Sequence, residues 1–338
     1  MDAVHGGPDA LGVPLFDFSS NGNACGPCPS ALAAVRAADA AHYPDPAYTE
    51  LRQRLAAHHG VDAQRIVLAA SASEFIFRVT ALAAQRPGAA VYLPPLAYGD
   101  YAQAAAAFSL PVTAQAQQAS LRWACEPSSP LGAAQGDWPS LRDGLPAPGV
   151  SVVLDRAYEP LRLSGLAPPP DVLDAVWQLW TPNKALSLTG VRAAYAVAPL
   201  DAAVQTRALN RLCPSWPVGA HGVALLTAWT TPGVQQWLAS SLVTLRLYKQ
   251  QQVAMCTGLG WVCLPGEANF LTAQPDLPTG VTLPVALARL RGLGIKLRDT
   301  TSFGLPGHVR LSVQAPAAQK ALRCAWQGLV NEPPHRHE

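Results

Sequence analysis

Along the first two-thirds of the chain, short continuous apolar runs alternate with longer stretches of helical spacing. Helical spacing covers 30–40 and 47–59, with Ser30 placed to cap the first and Tyr43-Pro44-Asp45-Pro46 forming a rigid break between them. Arg65-Ile66-Val67-Leu68-Ala69 reads as a buried strand, followed by a Ser-rich turn and a helix from Ser73 to Gln85. Pro87-Gly88 marks a turn, Ala90-Val91-Tyr92-Leu93 a strand ended by Pro94-Pro95, and Tyr101 to Phe108 a helix. Val150 to Asp155 is a continuous apolar run ending on an acid, and 176–180 and 193–197 are two further strands. Short apolar strands alternating with helices predict an α/β unit with a mostly parallel sheet covered on both faces. Beyond about residue 225 the pattern changes. A long helix from Gly233 to about Met255 precedes strands at 261–264 and 269–272, a helix near 284–292 and a strand at 309–313. This is an α+β pattern and predicts a second, smaller domain. The end, Pro333 to Glu338, reads as a loose tail.

Composition narrows the class. Of 338 residues, 49% are hydrophobic and only 14% charged, which excludes a disordered chain. A net charge of +2 gives no support to nucleic-acid binding. The Ala-rich stretches are all interrupted by Arg, Asp, Glu or Gln, so no membrane span is expected. Met1 to His5 lacks a basic head before an apolar run, and the seven cysteines are an odd number. Both point to a reduced, cytoplasmic protein. Only four lysines occur, Lys184, Lys249, Lys296 and Lys320, so chemistry needing a lysine amine has four candidates.

Cys25-Gly26-Pro27-Cys28 carries the spacing of a thiol–disulfide exchange site. Its approach, Ser19 to Ala24, is polar and turn-rich rather than strand-like, and Pro29 follows directly. No second Cys or His pair completes a metal site, since His58 and His59 are adjacent on a helix. The pair reads as two incidental thiols in a loop, with a redox role as the alternative.

In open parallel sheets, ligands bind beyond the carboxyl ends of the strands. The residues there are Ser71, Ser73 and Glu74; Tyr98; Asp155 and Tyr158; and Thr181, Asn183 and Lys184. An acid, a tyrosine and a lysine at successive strand ends are what a lysine-tethered pyridoxal phosphate site requires. The lysine forms a Schiff base, and the acid keeps the pyridine nitrogen protonated so that the ring accepts electrons.

Several motifs then fall in the order of a known family. Thr181-Pro182-Asn183-Lys184 with Thr189-Gly190-Val191-Arg192 resembles the lysine signature of class I/II aminotransferases. Val153 to Tyr158 resembles the family's Asp-Glu-Ala-Tyr strand end, Ser71 to Glu74 its Gly-Ala-Ser-Glu phosphate turn, and Glu126 to Gly132 its Asn-Pro-Asn-Asn-Pro-Thr-Gly loop. Asn21-Gly22-Asn23, Tyr43-Pro44-Asp45, Leu51-Arg52 and Asn269-Phe270 also match in order, so the resemblance runs from about His5 to about Ala315.

The resemblance implies the pyridoxal-phosphate fold type I. A large domain (44–225) would hold a mostly parallel seven-stranded sheet between helices. A small α+β domain would span 226–330, with 1–43 as an arm contributing to it and 331–338 as a flexible tail. Lys184 would hold the cofactor and move protons, Asp155 would pair with the pyridine nitrogen, Tyr158 would donate to the ring hydroxyl and Tyr98 would stack on the ring. Ala72, Ser73 and Glu74, with Thr181, Asn183 and Arg192, would hold the phosphate, and Ser129 would lie by the ring hydroxyl. Arg310, Arg298 and Asn23 would bind substrate. Ser129, Asn183 and Ser71 depart from the family's asparagine, serine and glycine.

Within the family, the branch resembled contains histidinol-phosphate aminotransferase and threonine-phosphate decarboxylase. His5-Gly6-Gly7, Asp17-Phe18-Ser19 and the Arg298-Asp299 … Ser302-Phe303 … Arg310 ending favour the decarboxylase of cobalamin synthesis. Aminotransfer on histidinol phosphate or another amino acid is the alternative, and a catalytically altered cofactor-binding protein a remoter one. A small amino-acid substrate and a homodimer are implied in either case.

Overall fold

The computed structural model describes residues 6–135 and 149–331, so His5 and the segment 332–338 lie outside the described residues. Seven strands form the central sheet: β2 (Ile66–Ala69), β3 (Val91–Tyr92), β4 (Val112–Thr113), β5 (Leu121–Cys125), β6 (Ser151–Asp155), β7 (Trp177–Trp180) and β8 (Ala194–Val197). Their order is β2-β8-β7-β6-β5-β3-β4, and every pairing is parallel except the two made by β8. The strands are short and β-branched or aromatic, and β2, β5, β7 and β8 are buried along their whole length. Such runs suit a sheet covered on both faces by helices, here including α3 (Ala72–Ala84) and α4 (Gly99–Ala107). The fold is thus the α/β fold with a mostly parallel seven-stranded sheet that the sequence implies.

Register fixes what comes together. Cys125 lies beside Asp155, and Asp155 beside Leu179, so β5, β6 and β7 end at one level. Because β8 runs antiparallel, its start faces the ends of its neighbours, with Ala194 opposite Ala69 and Tyr195 opposite Trp180. One sheet edge therefore collects the segments after Ala69, Cys125, Asp155 and Trp180 with the segment before Ala194.

A second, antiparallel sheet has the order β12-β13-β10-β9, built from β9 (Val262–Cys263), β10 (Phe270–Gln274), β12 (Arg298–Asp299) and β13 (Val309–Ser312). The N-terminal strand β1 (Phe16–Asp17) pairs in parallel with β11 (Ile295–Lys296). From there the chain runs through Asn21 to Asn23, whose amide bonds the Lys184 carbonyl at 3.0 Å. The long helix α8 (Pro232–Gly258) links the two sheets. Among the described residues, no helix is long and apolar enough to cross a membrane.

One boundary differs from the reading of the sequence. Helix α1 (Pro29–Arg36) is preceded by Cys28, not capped by Ser30, because proline fits the first helical turn without a free N–H.

Candidate active site

Asp155 ends β6 fully buried. The Tyr101 hydroxyl donates to its Oδ2 at 2.7 Å and the Ala157 amide to its Oδ1 at 2.9 Å. Burial raises its pKa, opposed by the Tyr101 hydroxyl, the Ala157 amide and the charge of Lys184. Among the described residues no cation forms an ion pair with it. Tyr101 lies at the start of α4 and stacks on Trp123 of β5, with ring centroids 4.3 Å apart. Tyr98, just before α4, meets Tyr101 edge-on at 5.8 Å, and burial raises its phenol pKa.

Lys184 is half-buried in the turn after β7, its Nζ 5.4 Å from the centre of the Tyr158 ring. Tyr158 packs edge-on against Phe270 at 4.8 Å, and the Arg310 guanidinium lies 5.5 Å from the Phe270 ring. Arg310 donates from Nη1 to Ser129 Oγ at 3.1 Å and from Nη2 to the Ser19 carbonyl at 3.3 Å. The structure thus joins Lys184, Tyr158, Phe270, Arg310 and Ser129 in one connected cluster.

Arg298 sits directly opposite Arg310 in the β12–β13 pair, and both are buried. Both guanidinium groups lie against Phe303, at 4.8 and 5.3 Å from its centroid. Arg298 also donates to the Asp299 carbonyl and to Ser302 Oγ. Burial and the charge of Arg310 lower its pKa. Two facing like charges are unfavourable in a sheet unless an anion joins them.

At the other end of the edge, Ser71 caps α3 by accepting from the Glu74 amide at 3.1 Å. That leaves the Ala72 and Ser73 amides at the open helix N-terminus, a ready anion site. Thr181 Oγ1 and Asn183 Oδ1 are buried without a hydrogen-bond partner. Arg192 is exposed and lines a concavity of about 300 Å³ with Gly190, Gly219 and His221.

Two of the expected site residues are otherwise engaged. Glu74 holds Arg78, with Arg78 Nη2 at 3.1 Å, and accepts from the Ala70 amide at 3.2 Å. It builds the turn rather than offering a group to a ligand. Asn23 donates to the Ala185 carbonyl and to Ser241 Oγ, and accepts from the Cys25 amide. Its side chain is spent on joining the arm, the lysine turn and α8. Asn21 faces the site instead, its Nδ2 donating to Tyr158 Oη at 3.1 Å. The sequence offers Asn21 only within the Asn21-Gly22-Asn23 motif and Tyr101 only as the start of a helix, though Tyr101 follows Tyr98 at the three-residue spacing that shares a helix face.

The other lysines and the thiols have different places. Lys249 is half-buried and donates to the Gly266 and Ala268 carbonyls at 2.6 and 2.7 Å. Burial lowers its pKa to about 8. Lys296 donates to the Gly7 carbonyl and pairs with Asp9 at 3.0 Å, while Lys320 is exposed. Cys28 is fully buried, and burial raises the Cys25 pKa. Neither is the exposed, acidified thiol that disulfide exchange needs.

This geometry is matched by known proteins. The profile of "Aminotransferase class I and II" fits residues 13–327, and the chain belongs to this family. It is 29% identical to histidinol-phosphate aminotransferase 1 of Thiobacillus denitrificans, over 96% of this chain and 87% of that protein. Among solved structures, histidinol-phosphate aminotransferase of Sinorhizobium meliloti in complex with pyridoxal-5'-phosphate superposes with a TM-score of 0.80. It is 22% identical, covering 97% of this chain and 95% of that one. L-threonine-O-3-phosphate decarboxylase of Porphyromonas gingivalis superposes at 0.72 with 20% identity, covering 93% and 97%.

Proposed function

We propose that this enzyme transfers an amino group from a small phosphorylated amino compound, with histidinol phosphate first among the candidates, using pyridoxal 5'-phosphate. The carrying observation is the facing pair Arg298 and Arg310, both buried against Phe303, with Arg310 joined through Phe270 and Tyr158 to Lys184. Two guanidinium groups at adjacent positions suit a phosphate dianion, which offers several acceptor oxygens to planar donor forks. Histidinol-phosphate aminotransferases recur among the relatives and support aminotransfer over the decarboxylation favoured from sequence. One structural neighbour is a threonine-phosphate decarboxylase, which keeps that reaction as the second reading.

The residues of the edge fit the cofactor. Asp155 is a buried carboxylate without a paired cation, as a pyridinium nitrogen requires. The free amides of Ala72 and Ser73, the partnerless Thr181 and Asn183 side-chain oxygens and the exposed Arg192 offer hydrogen-bonding groups and charge to a phosphate. When bound, the cofactor supplies an electron sink for the substrate α-carbon.

The chain's own groups then divide the work. Lys184 Nζ takes the proton from the substrate α-carbon and returns it. Asp155, held by Tyr101 and Ala157, would face the pyridine nitrogen from a dry setting. Tyr98 would cover the ring of the bound cofactor, and Tyr158 and Ser129 would serve its ring oxygen. Arg310 and Arg298 orient the substrate anion and so decide which bond lies perpendicular to the ring. Residues 44–225 would form the cofactor-holding unit and 226–330 the smaller one, with a homodimer as the working form.

Incubation of the pyridoxal phosphate-loaded enzyme with histidinol phosphate and 2-oxoglutarate tests this, beside threonine phosphate alone. Glutamate formation is expected. Carbon dioxide release from threonine phosphate without glutamate formation would replace the proposal with the decarboxylase reading.

A further inference from the structure

Asn21 is set in place by its backbone on both sides. Upstream, the Phe18 amide donates to the Lys296 carbonyl at 2.9 Å and the Phe18 carbonyl accepts from the Ser312 amide at 2.8 Å. Downstream, Asn269 Nδ2 donates to the carbonyls of Asn21 and Gly22 at 3.2 and 3.1 Å. The Asn23 amide then bonds the carbonyl of Lys184 itself. The side chain between these anchors is 3% exposed and makes one hydrogen bond, from Nδ2 to Tyr158 Oη, while its Oδ1 has no partner.

That one bond has a chemical consequence. A phenol carries a single proton. An amide donating to Tyr158 Oη occupies a lone pair there and leaves the proton for an acceptor elsewhere. The Tyr158 ring is held by Phe270 and overlooked by Lys184 Nζ, so the hydroxyl borders the same cleft as the lysine. The neighbouring Ser129 Oγ accepts from Arg310 Nη1. The amide nearest this corner comes from the N-terminal arm.

We propose that Asn21 is a positioning residue that aims the Tyr158 proton at the ring oxygen of the bound cofactor. The inference rests on the cofactor reading above. A donor on the ring oxygen competes for its electrons with the proton of the lysine–cofactor linkage, so losing that donor makes the linkage more basic. The opposite amide orientation, with Tyr158 donating to Asn21 Oδ1, would turn the proton away from the cleft. Asn21→Asp imposes that arrangement, because a carboxylate only accepts.

The experiment is a pH titration of the visible absorption band after loading with pyridoxal 5'-phosphate. It compares the wild type with Asn21→Ala, Asn21→Asp, Tyr158→Phe and the double variant Asn21→Ala/Tyr158→Phe. The expected result is an upward shift of the titration midpoint, about half a pH unit or more, in each single variant. The double variant should match Tyr158→Phe alone, since Asn21 acts through that hydroxyl. If Asn21→Ala does not fold, Asn21→Asp, equal in size, carries the comparison. Unchanged midpoints in both Asn21 variants, or an Asn21→Ala shift of full size in the Tyr158→Phe background, overturn the proposal. A wild type that forms no visible band overturns the cofactor reading itself, and this proposal with it.

Discussion

Tyr101 and His59 show how single residues carry the consequences of the fold. Tyr101 supplies one of two hydrogen bonds to a fully buried carboxylate. Tyr101→Phe leaves Asp155 Oδ2 short of a donor and should cost about 1–3 kcal/mol of stability, measured by urea unfolding. His59 is half-buried against Trp180, its Nε2 2.8 Å from Tyr195 Oη, and that hydroxyl accepts from Trp229 Nε1. Burial lowers its pKa from 6.5 to about 3. A depressed pKa gives stability that is full above pH 6.5 and is lost as the pH falls, because the unfolded chain takes up the proton first. One such group contributes a slope of about 1.4 kcal/mol per pH unit within that window. His59→Phe should flatten the fall in unfolding free energy between pH 6.5 and 4.5, and an unchanged slope would contradict this. At this scale the sequence was legible for residues at strand ends, since Asp155 and Lys184 follow directly from the apolar runs. It was not legible for Asn21 and Asn23. Both are asparagines in one turn-rich segment, and only the fold decides which faces Tyr158 and which is spent on Ala185 and Ser241.

Between elements, the joint of the two sheets depends on one cation. Arg162 binds Glu126 after β5 at 3.2 Å, Glu159 after β6 at 2.8 Å, and Glu267 before β10. Arg162→Ala removes the cation common to the three carboxylates, while Arg156 stays 3.5 Å from Glu159, and should cost about 1–3 kcal/mol. Loss of less than about 1 kcal/mol in denaturant unfolding would show that the cluster is solvated. The β2, β6 and β8 segments could be read because each is an apolar run, and β7 and β13 because only Gln178 and Arg310 break theirs. Strand β5 was not read: Arg122 breaks it near its start, and pairing with β3 and β6 makes it a strand. Helix α7 (Ala220–Trp229) was missed because it starts after Gly219 with no side-chain cap. The two-residue strands β1, β4, β11 and β12 have no sequence period and exist only through their partners.

At the scale of the molecule, apolar surface stands open. Leu11, Val13 and Leu15 of the arm are 71, 78 and 74% exposed. A groove of about 600 Å³ runs between α1 and α7, bordered by Ala34, Ala37, Tyr43, Ala220 and Ala224. Such surface fits the proposed homodimer. Sedimentation velocity at micromolar concentration should give twice the 35.5 kDa chain mass, and a monomer would contradict it. The central claim is that the sheet edge ending in Asp155 and Lys184 holds pyridoxal phosphate. Borohydride reduction of the loaded protein followed by peptide mass mapping tests it most directly. Lys249 provides a built-in control, because burial gives it an easily deprotonated amine while the Gly266 and Ala268 carbonyls engage its Nζ. The account predicts a pyridoxyl group on Lys184 alone, and a label on Lys249 or no label at all would contradict it.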